Sequence, residues 1–363
     1  MVISTIIIVV IMLQQSIFCR LGHSYTIKNK NYSNLRQKII KLQQYTIKTV
    51  PSSTYVLSKD EMNKLISKVK ILNNINSDML SSQFKEFYIK NQLIGYVPND
   101  VINSLLSLKE SNTLFKYSNN KLVFNDEIIT NSKLQHYSEL FNNVNKQLHS
   151  QNIIKGKWNN ELLPISNSYY DQEPLLLVER VCYPYYGIKA YGVHVNGYIC
   201  ENNNNDRPSH LWIGKRSSTK STYPSLLDHI VAGGQPHGLS LLDNVIKECD
   251  EEANIDKDLV LSSIKSSGYV SYQYMGASDN LKRDILFCYD LKLPLDFVPV
   301  PKDNEVESFR LLPVHEILET ILNTNAFKPN VNLVIIDFFI RHGIISNMSY
   351  DYLYLCNMLR NVY

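Results

Sequence analysis

The spacing of apolar positions changes about halfway along the chain. Between Asp60 and about Ile165 they recur every three to four residues in two long runs, DEMNKLISKVKIL (60–72) and LQHYSELFNNVNKQLH (134–149), which predict amphipathic helices. Short runs between them, IGYV (94–97) and KLVF (121–124), read as strands, so this part is a small α+β unit. Titratable groups do not gather there around Gly-rich turns, and candidate chemistry therefore falls elsewhere. From about Leu175 onward the apolar stretches are shorter and separated by turns. AYGVHVNGYIC (190–200) and HLWIGKR (210–216) alternate as strands, with the polar run ENNNNDRPSH (201–210) as a hairpin loop between them. A helix opening near Ser240 follows, then strands DILFCYDLKL (284–293) and FRLLP (309–313) and helices VHEILETIL (314–322) and VNLVIIDFFIRHG (331–343). Strands before and after a central helix predict an α/β sandwich. Gly343 directly after His342 is helix-ending chemistry, which makes His342 a residue that compensates the helix dipole rather than a ligand.

The central helix is unlike the others. In VAGGQPHGLSLLDNVIKECDEEANI (231–255), Ser240 and Asp243 form an N-terminal cap. At 100° per residue, Leu242, Val245, Ile246, Cys249 and Ala253 take one apolar side. Glu248, Glu251 and Glu252 share an adjoining side, while Lys247 and Asp250 face elsewhere. Carboxylates at i, i+3 and i+4 repel by a few tenths of a kcal/mol per pair. A solvated acidic face is the commonest fate of such a run. Here the acids adjoin an apolar side, follow a Gly-rich turn and have no basic residue at i+4 from Glu248 or Glu251. A hard divalent cation offsets the repulsion by taking carboxylate oxygens on one side and substrate phosphate oxygens on the other. Gly233, Gly234 and Gly238 fit a backbone that turns tightly and approaches a ligand closely.

Charge narrows the partners. The formal net charge is +3, but residues 1–59 hold eight of the 37 basic residues and no acid. The rest carries 29 basic against 34 acidic residues and is about five charges negative, which argues against a nucleic-acid footprint. The six cysteines show neither metal-ligand spacing nor a disulfide framework and read as reduced thiols. The first residues, VISTIIIVVIML, have the length of a signal-peptide core and are shorter than the usual membrane span. The acid-free stretch RLGHSYTIKNKNYSNLRQKIIKLQQYTIK has the composition of a transit peptide. Together they predict a bipartite address, secretory entry and then import into a plastid-type organelle, with no stable membrane association after processing. Simple secretion or an N-terminal anchor is the alternative.

These residues resemble the Nudix box, G-x5-E-x7-R-E-U-x-E-E-x-G-U. Gly233 stands at the first glycine, Glu248 after the Arg position, Cys249 at the apolar position, and Glu251 and Glu252 at the paired acids. Leu239 replaces the first Glu, Lys247 the Arg and Asn254 the last Gly; Asp243 with Lys247 can stand in for the usual Glu–Arg pair. Several further stretches are similar to the thiamine pyrophosphokinase-related Nudix hydrolases, including plastid members: YGVHVNGYI, LWIGKRSSTKSTYP, PVPKDNEVESFRLLPVHEI and FKPNVNLVIIDFFIRHGI. YIKNQLIGYVP and WNNELLPI resemble that group's own N-terminal domain, so the likeness runs from about residue 85 to 345. No P-loop is present, and a kinase is not implied.

Composition sets the leader at 1–59, and the resemblance implies an N-terminal α+β domain over 60–170, a Nudix α/β/α sandwich over 171–347 and a tail over 348–363. It implies a Mg²⁺- or Mn²⁺-dependent diphosphatase that cuts oxidised or damaged thiamine diphosphate to the monophosphate. Clean-up of 8-oxo-dGTP and a non-catalytic thiamine diphosphate-binding module are the competing readings. Glu248, Glu251 and Glu252 are the expected metal ligands, with Glu252 and Glu305 catalytic, Glu305 as general base or further ligand. Arg216 and Lys220 are candidates for the diphosphate oxygens, Arg216 through its bidentate fork, with Gly233, Gly234 and His194 as further substrate contacts. Tyr272 and Tyr274 read more readily as cover for a sheet than as a stacking platform.

Overall fold

The computed structural model describes residues 54–361 except 167–172, 202–206 and 277–278. The predicted leader therefore lies outside the described residues up to Ser53, as does the middle of the 201–210 loop.

Two apolar cores organise the described chain. In the first, strands pair in the order Gln92–Pro98, Phe84–Ile89, Lys121–Phe124, Phe115–Ser118 and are covered by helix Leu134–Ser150. Phe87, Phe115, Phe124 and Phe141 interlock with Tyr186 at centroid distances of 5.0–6.5 Å. The second core belongs to a sheet whose main path runs Ile264–Met275, Leu281–Lys292, Lys189–Ile199, His210–Arg216, Val306–Pro313, with Leu227–Asp228 and Val231–Gly234 attached at its side. Helix Leu241–Ala253 packs on one face through Val245, Cys249 and Ala253. Helices Val314–Asn323 and Pro329–Arg341 cover the other, so the predicted α/β sandwich is present.

Helix Lys59–Ile71, grouped by sequence with the N-terminal unit, buries Met62, Leu65, Ile66 and Val69 in the second core, against the two C-terminal helices. Tyr55 and Leu57 precede it in the same body, Tyr55 bridging to Ile345. The segment read as a tail carries helix Tyr352–Met358, whose Leu355 is fully buried. These ends meet because each contributes an apolar stripe that local periodicity cannot pair with a distant one.

The two cores abut at Gly95 and Gly187. A Cβ on Gly95 would stand 2.2 Å from the Tyr186 carbonyl oxygen, so only glycine permits the approach that lets the Tyr96 N–H donate to that oxygen at 2.9 Å. Arg283 reaches across, donating to the Gly187 carbonyl at 3.0 Å with its guanidinium 4.9 Å from the Tyr96 ring centroid. His342 ends its helix with Gly343 in the left-handed region, φ 63°, and its ring bonds Asp290 at 2.8 Å, which agrees with its reading as a terminal residue.

Candidate active site

Strand Val231–Gly234 lies antiparallel to Lys189–Ile199, with Ala232 opposite His194 and Gly233 opposite Val193. It delivers the chain to the turn before the acidic helix. Ser240 caps that helix, accepting from the Asp243 N–H at 3.1 Å and donating its hydroxyl to Asp243 Oδ2 at 2.6 Å. Asn244 is fully buried; its amide donates to the Gly234 carbonyl at 2.9 Å and to Gln235 Oε1 at 3.0 Å. This amide clasp fastens turn to helix. The Asp243–Lys247 pair predicted for that task does not form, because Asp243 is engaged by its own cap. Leu242, placed on the apolar side, is exposed, and Asn244 takes the buried position instead.

The three glutamates diverge. Glu252 is 8% exposed and accepts from the Ala232 N–H at 2.9 Å. Burial raises its carboxyl well above the usual range against that hydrogen bond, and Asp228, Glu248 and Asp303 add repulsion. Glu248 leans over Gly233, where a Cβ would come within 2.4 Å of its Cδ, so a side chain here would push the carboxylate aside. Burial is the main cause of its raised carboxyl too; Lys247 opposes, Glu251 and Glu305 reinforce. Glu251 turns away to Lys247, 2.6 Å distant, and Lys247 also reaches Glu248 at 3.3 Å. Lys247 is thus bound between two acids instead of facing away from them.

A second segment completes the cluster. Lys302 pairs with Asp250 at 2.7 Å and the Val300 N–H donates to the Ala253 carbonyl, which straps residues 300–305 to the end of the acidic helix. Among the described residues, Glu252, Asp303 and Glu305 bring carboxylate oxygens within 4.8 Å of one another. Asp303 escaped the sequence reading. The spacing Asp-x-Glu in PKDNEVESF was its only local signal. Glu305 sits on the rim, held by Lys220 at 2.5 Å, and its N–H donates to Asp303 Oδ1 at 2.9 Å.

The cleft beside this cluster is lined by Asp228, His229, Ala232, Glu252 and Glu305. Arg216, a candidate for the diphosphate oxygens, lines the same cleft and is also bonded within the protein. It donates to Asp228 at 2.8 Å and to the Tyr223 and Thr222 carbonyls at 3.0 and 2.9 Å. Burial would raise Asp228, but Lys328, then the two histidines and Arg216, hold it well below the usual carboxylate range. His194 is buried under the strand, its ring edge-on to His229 at 5.0 Å. Burial keeps both imidazoles neutral near pH 7, His229 with its value down at about 4. Gly234 is exposed, with open space where a side chain would be. Asp228 and His229 were missed because nothing in the local pattern of LLDHIV distinguishes them from strand residues.

An oxygen-only donor set of closely spaced carboxylates, one deeply buried and destabilised by its neighbours, fits a hard divalent cation. Glu252, Asp303 and Glu305 would hold it, with Glu248 adjacent. Bound there, it would supply positive charge to the oxygens of a diphosphate.

On these observations the fold and the acid cluster are compatible with a metal-assisted hydrolase of acid-anhydride bonds. A family model described as a domain of unknown function (DUF4743) matches residues 64–190. Nudix hydrolase 24, chloroplastic, of Arabidopsis thaliana is 42% identical over 282 residues, 77% of this chain and 73% of that protein. Nudix hydrolase 20, chloroplastic, of the same plant is 43% identical over 289 residues, with the same shares. Among solved structures, the MutT protein from Methanosarcina mazei Go1 is 17% identical with a TM-score of 0.32, over 42% of this chain and 92% of that one. The chain belongs to the Nudix hydrolase family, an enzyme acting on small-molecule diphosphates.

Proposed function

We propose that the chain hydrolyses oxidised or damaged thiamine diphosphate to the monophosphate and inorganic phosphate, as a member of the thiamine pyrophosphokinase-related branch. The observation that carries the diphosphatase reading is the convergence of Glu252 with Asp303 and Glu305. The thiamine assignment is supported by the long motifs shared with that branch in the same order. Mg²⁺ or Mn²⁺ serves the reaction, held by Glu252 with Glu248 and the 303–305 acids. Glu305, on the cleft rim and held there by Lys220, serves as a further ligand of that ion or as the general base. Lys247 screens Glu251, which acts as a supporting charge. The leader and the chloroplastic names of the two plant relatives support a plastid-type location.

The purified chain with Mg²⁺ or Mn²⁺ should release monophosphate from oxidised thiamine diphosphate, faster than it cleaves 8-oxo-dGTP in a parallel assay. Glu252→Gln should lose on the order of 10² or more in rate, the cost of removing one positioned charge from an enclosed site. An unchanged rate in that variant rejects the assignment of Glu252, and binding without turnover by the native chain rejects catalysis.

A further inference from the structure

The cleft beside the acid cluster has two chemically opposite ends. Glu252 and Glu305 form one wall, with carboxylate oxygens of Asp303 within 4.8 Å of theirs. Lys215, Arg216, Asp228 and His229 line the other. Asp228 is fully engaged there: Arg216 donates to its Oδ2 at 2.8 Å, the Lys328 ammonium lies 3.6 Å from the same oxygen, and its Oδ1 accepts from the His229 N–H at 2.9 Å. Lys215 pairs with Glu307 at 2.8 Å. Lys215, Arg216 and Lys328 against Asp228 and Glu307 leave one positive charge in excess at this end.

Among the described residues lining the cleft, His229 alone keeps a buried polar side-chain atom without a partner, its Nε2. The residue is 3% exposed and its main chain is held on both sides. Asp228 takes its N–H, and its carbonyl lies so close to strand His210–Arg216 that a Cβ on Gly214 would stand 2.9 Å from that oxygen. His194, the histidine that the sequence singled out, packs edge-on against the His229 ring at 5.0 Å and fixes its plane. Buried polar atoms are nearly always satisfied, so a bare one in the wall of a cleft marks where a ligand supplies the partner. A diphosphate brings oxygens for both ends of the cleft, and an N–H bond to an ionised oxygen is among the stronger hydrogen bonds.

We propose that His229 is a substrate-contacting residue, its Nε2–H donating to a non-bridging oxygen of the diphosphate while other oxygens of the same group face the acid cluster. This rests on the diphosphatase reading of the cleft. A neutral imidazole carries one N–H, and a proton on Nε2 both satisfies that atom and presents it as a donor. Because Arg216 and Lys328 cancel the charge of Asp228, the anion meets no unscreened carboxylate at this end. The contact reads the diphosphate and not the organic ring, so it serves intact and damaged substrates alike.

Calorimetric titration of the full chain at saturating Mg²⁺ with methylenediphosphonate, whose P–C–P bridge is not hydrolysed, tests this. His229→Asn keeps a polar group near the position of Nδ1 and removes Nε2, whereas His229→Gln reaches the Nε2 position with an amide N–H. His229→Asn should bind the diphosphonate about tenfold or more weakly than the native chain, as for one lost hydrogen bond to a charged group, and His229→Gln should stay within about threefold of native. His229→Leu, of similar volume and without a polar side-chain atom, should lose as much as His229→Asn. Mg²⁺ titrated alone should bind all four chains equally. Equal diphosphonate affinity in the folded chains, an equal loss in His229→Asn and His229→Gln, a parallel loss of Mg²⁺ affinity, or no binding by the native chain overturns the proposal. Turnover of oxidised thiamine diphosphate and of 8-oxo-dGTP is measured separately. Binding that depends on Nε2 without cleavage of either removes the substrate assignment and leaves the anion contact standing, whereas cleavage with binding indifferent to His229 does the reverse.

Discussion

At Gly233 the side-chain atoms in the way of a Cβ are the outer end of Glu248: its Cδ at 2.4 Å, Cγ and Oε1 at 2.6 Å. That end is flexible, so Gly233→Ala can be accommodated by swinging the carboxylate aside. The expected result is a small loss of stability, under about 1 kcal/mol and below the range for overpacking a rigid core. The rate and the apparent metal affinity should fall far more. Thermal melts and a Mg²⁺ titration of activity separate the two effects; a variant that unfolds while keeping its metal response contradicts this account. The importance of Gly233 was legible from its place before an acidic helix. That its crowding partner is Glu248 was not, because the contact spans a turn whose shape depends on Asn244 gripping Gly234 and Gln235.

Among the elements, the acidic helix shows how departures from a motif are absorbed. It ends at Asn254 with φ 52° and ψ 45°, the left-handed conformation for which glycine is preferred and asparagine tolerated. Replacing the motif's glycine by asparagine therefore keeps the geometry. Asn254→Gly should be neutral or slightly stabilising, whereas Asn254→Val should cost about 1–2 kcal/mol through its Cβ; shifts in urea midpoint at constant slope would show this. The N-terminal cap at Ser240 and Asp243 was read correctly from sequence, since capping is local. The predicted pairing of Asp243 with Lys247 was not realised. Both lie on one helix at the right spacing, but Ser240 claims Asp243 and two neighbouring glutamates claim Lys247.

For the molecule as a whole, the C-terminal helices are tied to the sheet by buried charge. Arg341 bonds Asp290 at 2.6 Å and Asp337 at 2.7 Å, and Arg360 and His342 add to the same network. Arg341→Met leaves both carboxylates buried with less compensation, and should cost about 3–5 kcal/mol, as for breaking a buried pair from one side. The Asp290 carboxyl is held well below its usual range by hydrogen bonds from His342 and Arg341 that outweigh its burial. A depressed carboxyl gives stability that is fully present above its unfolded value, near 4, and is lost as pH falls towards the folded one. Melting temperature should therefore drop on acidification below about pH 4–5, and Asp290→Asn should flatten that dependence. A variant whose acid slope matches the native chain would place the acid sensitivity elsewhere.

Local spacing was enough to specify most helices and strands, the Ser240 cap, and an acidic helix after a glycine turn, because each depends on residues within a few positions of one another. Glu305 was within reach only through its motif, 53 residues beyond Glu252. Packing decided the remainder: which carboxylates converge, that Asp303 joins them while Glu251 turns to Lys247, and that Arg216 grips Asp228. Those outcomes are competitions among charges brought together by a sheet and a strapped loop, and no stretch of sequence contains all the competitors.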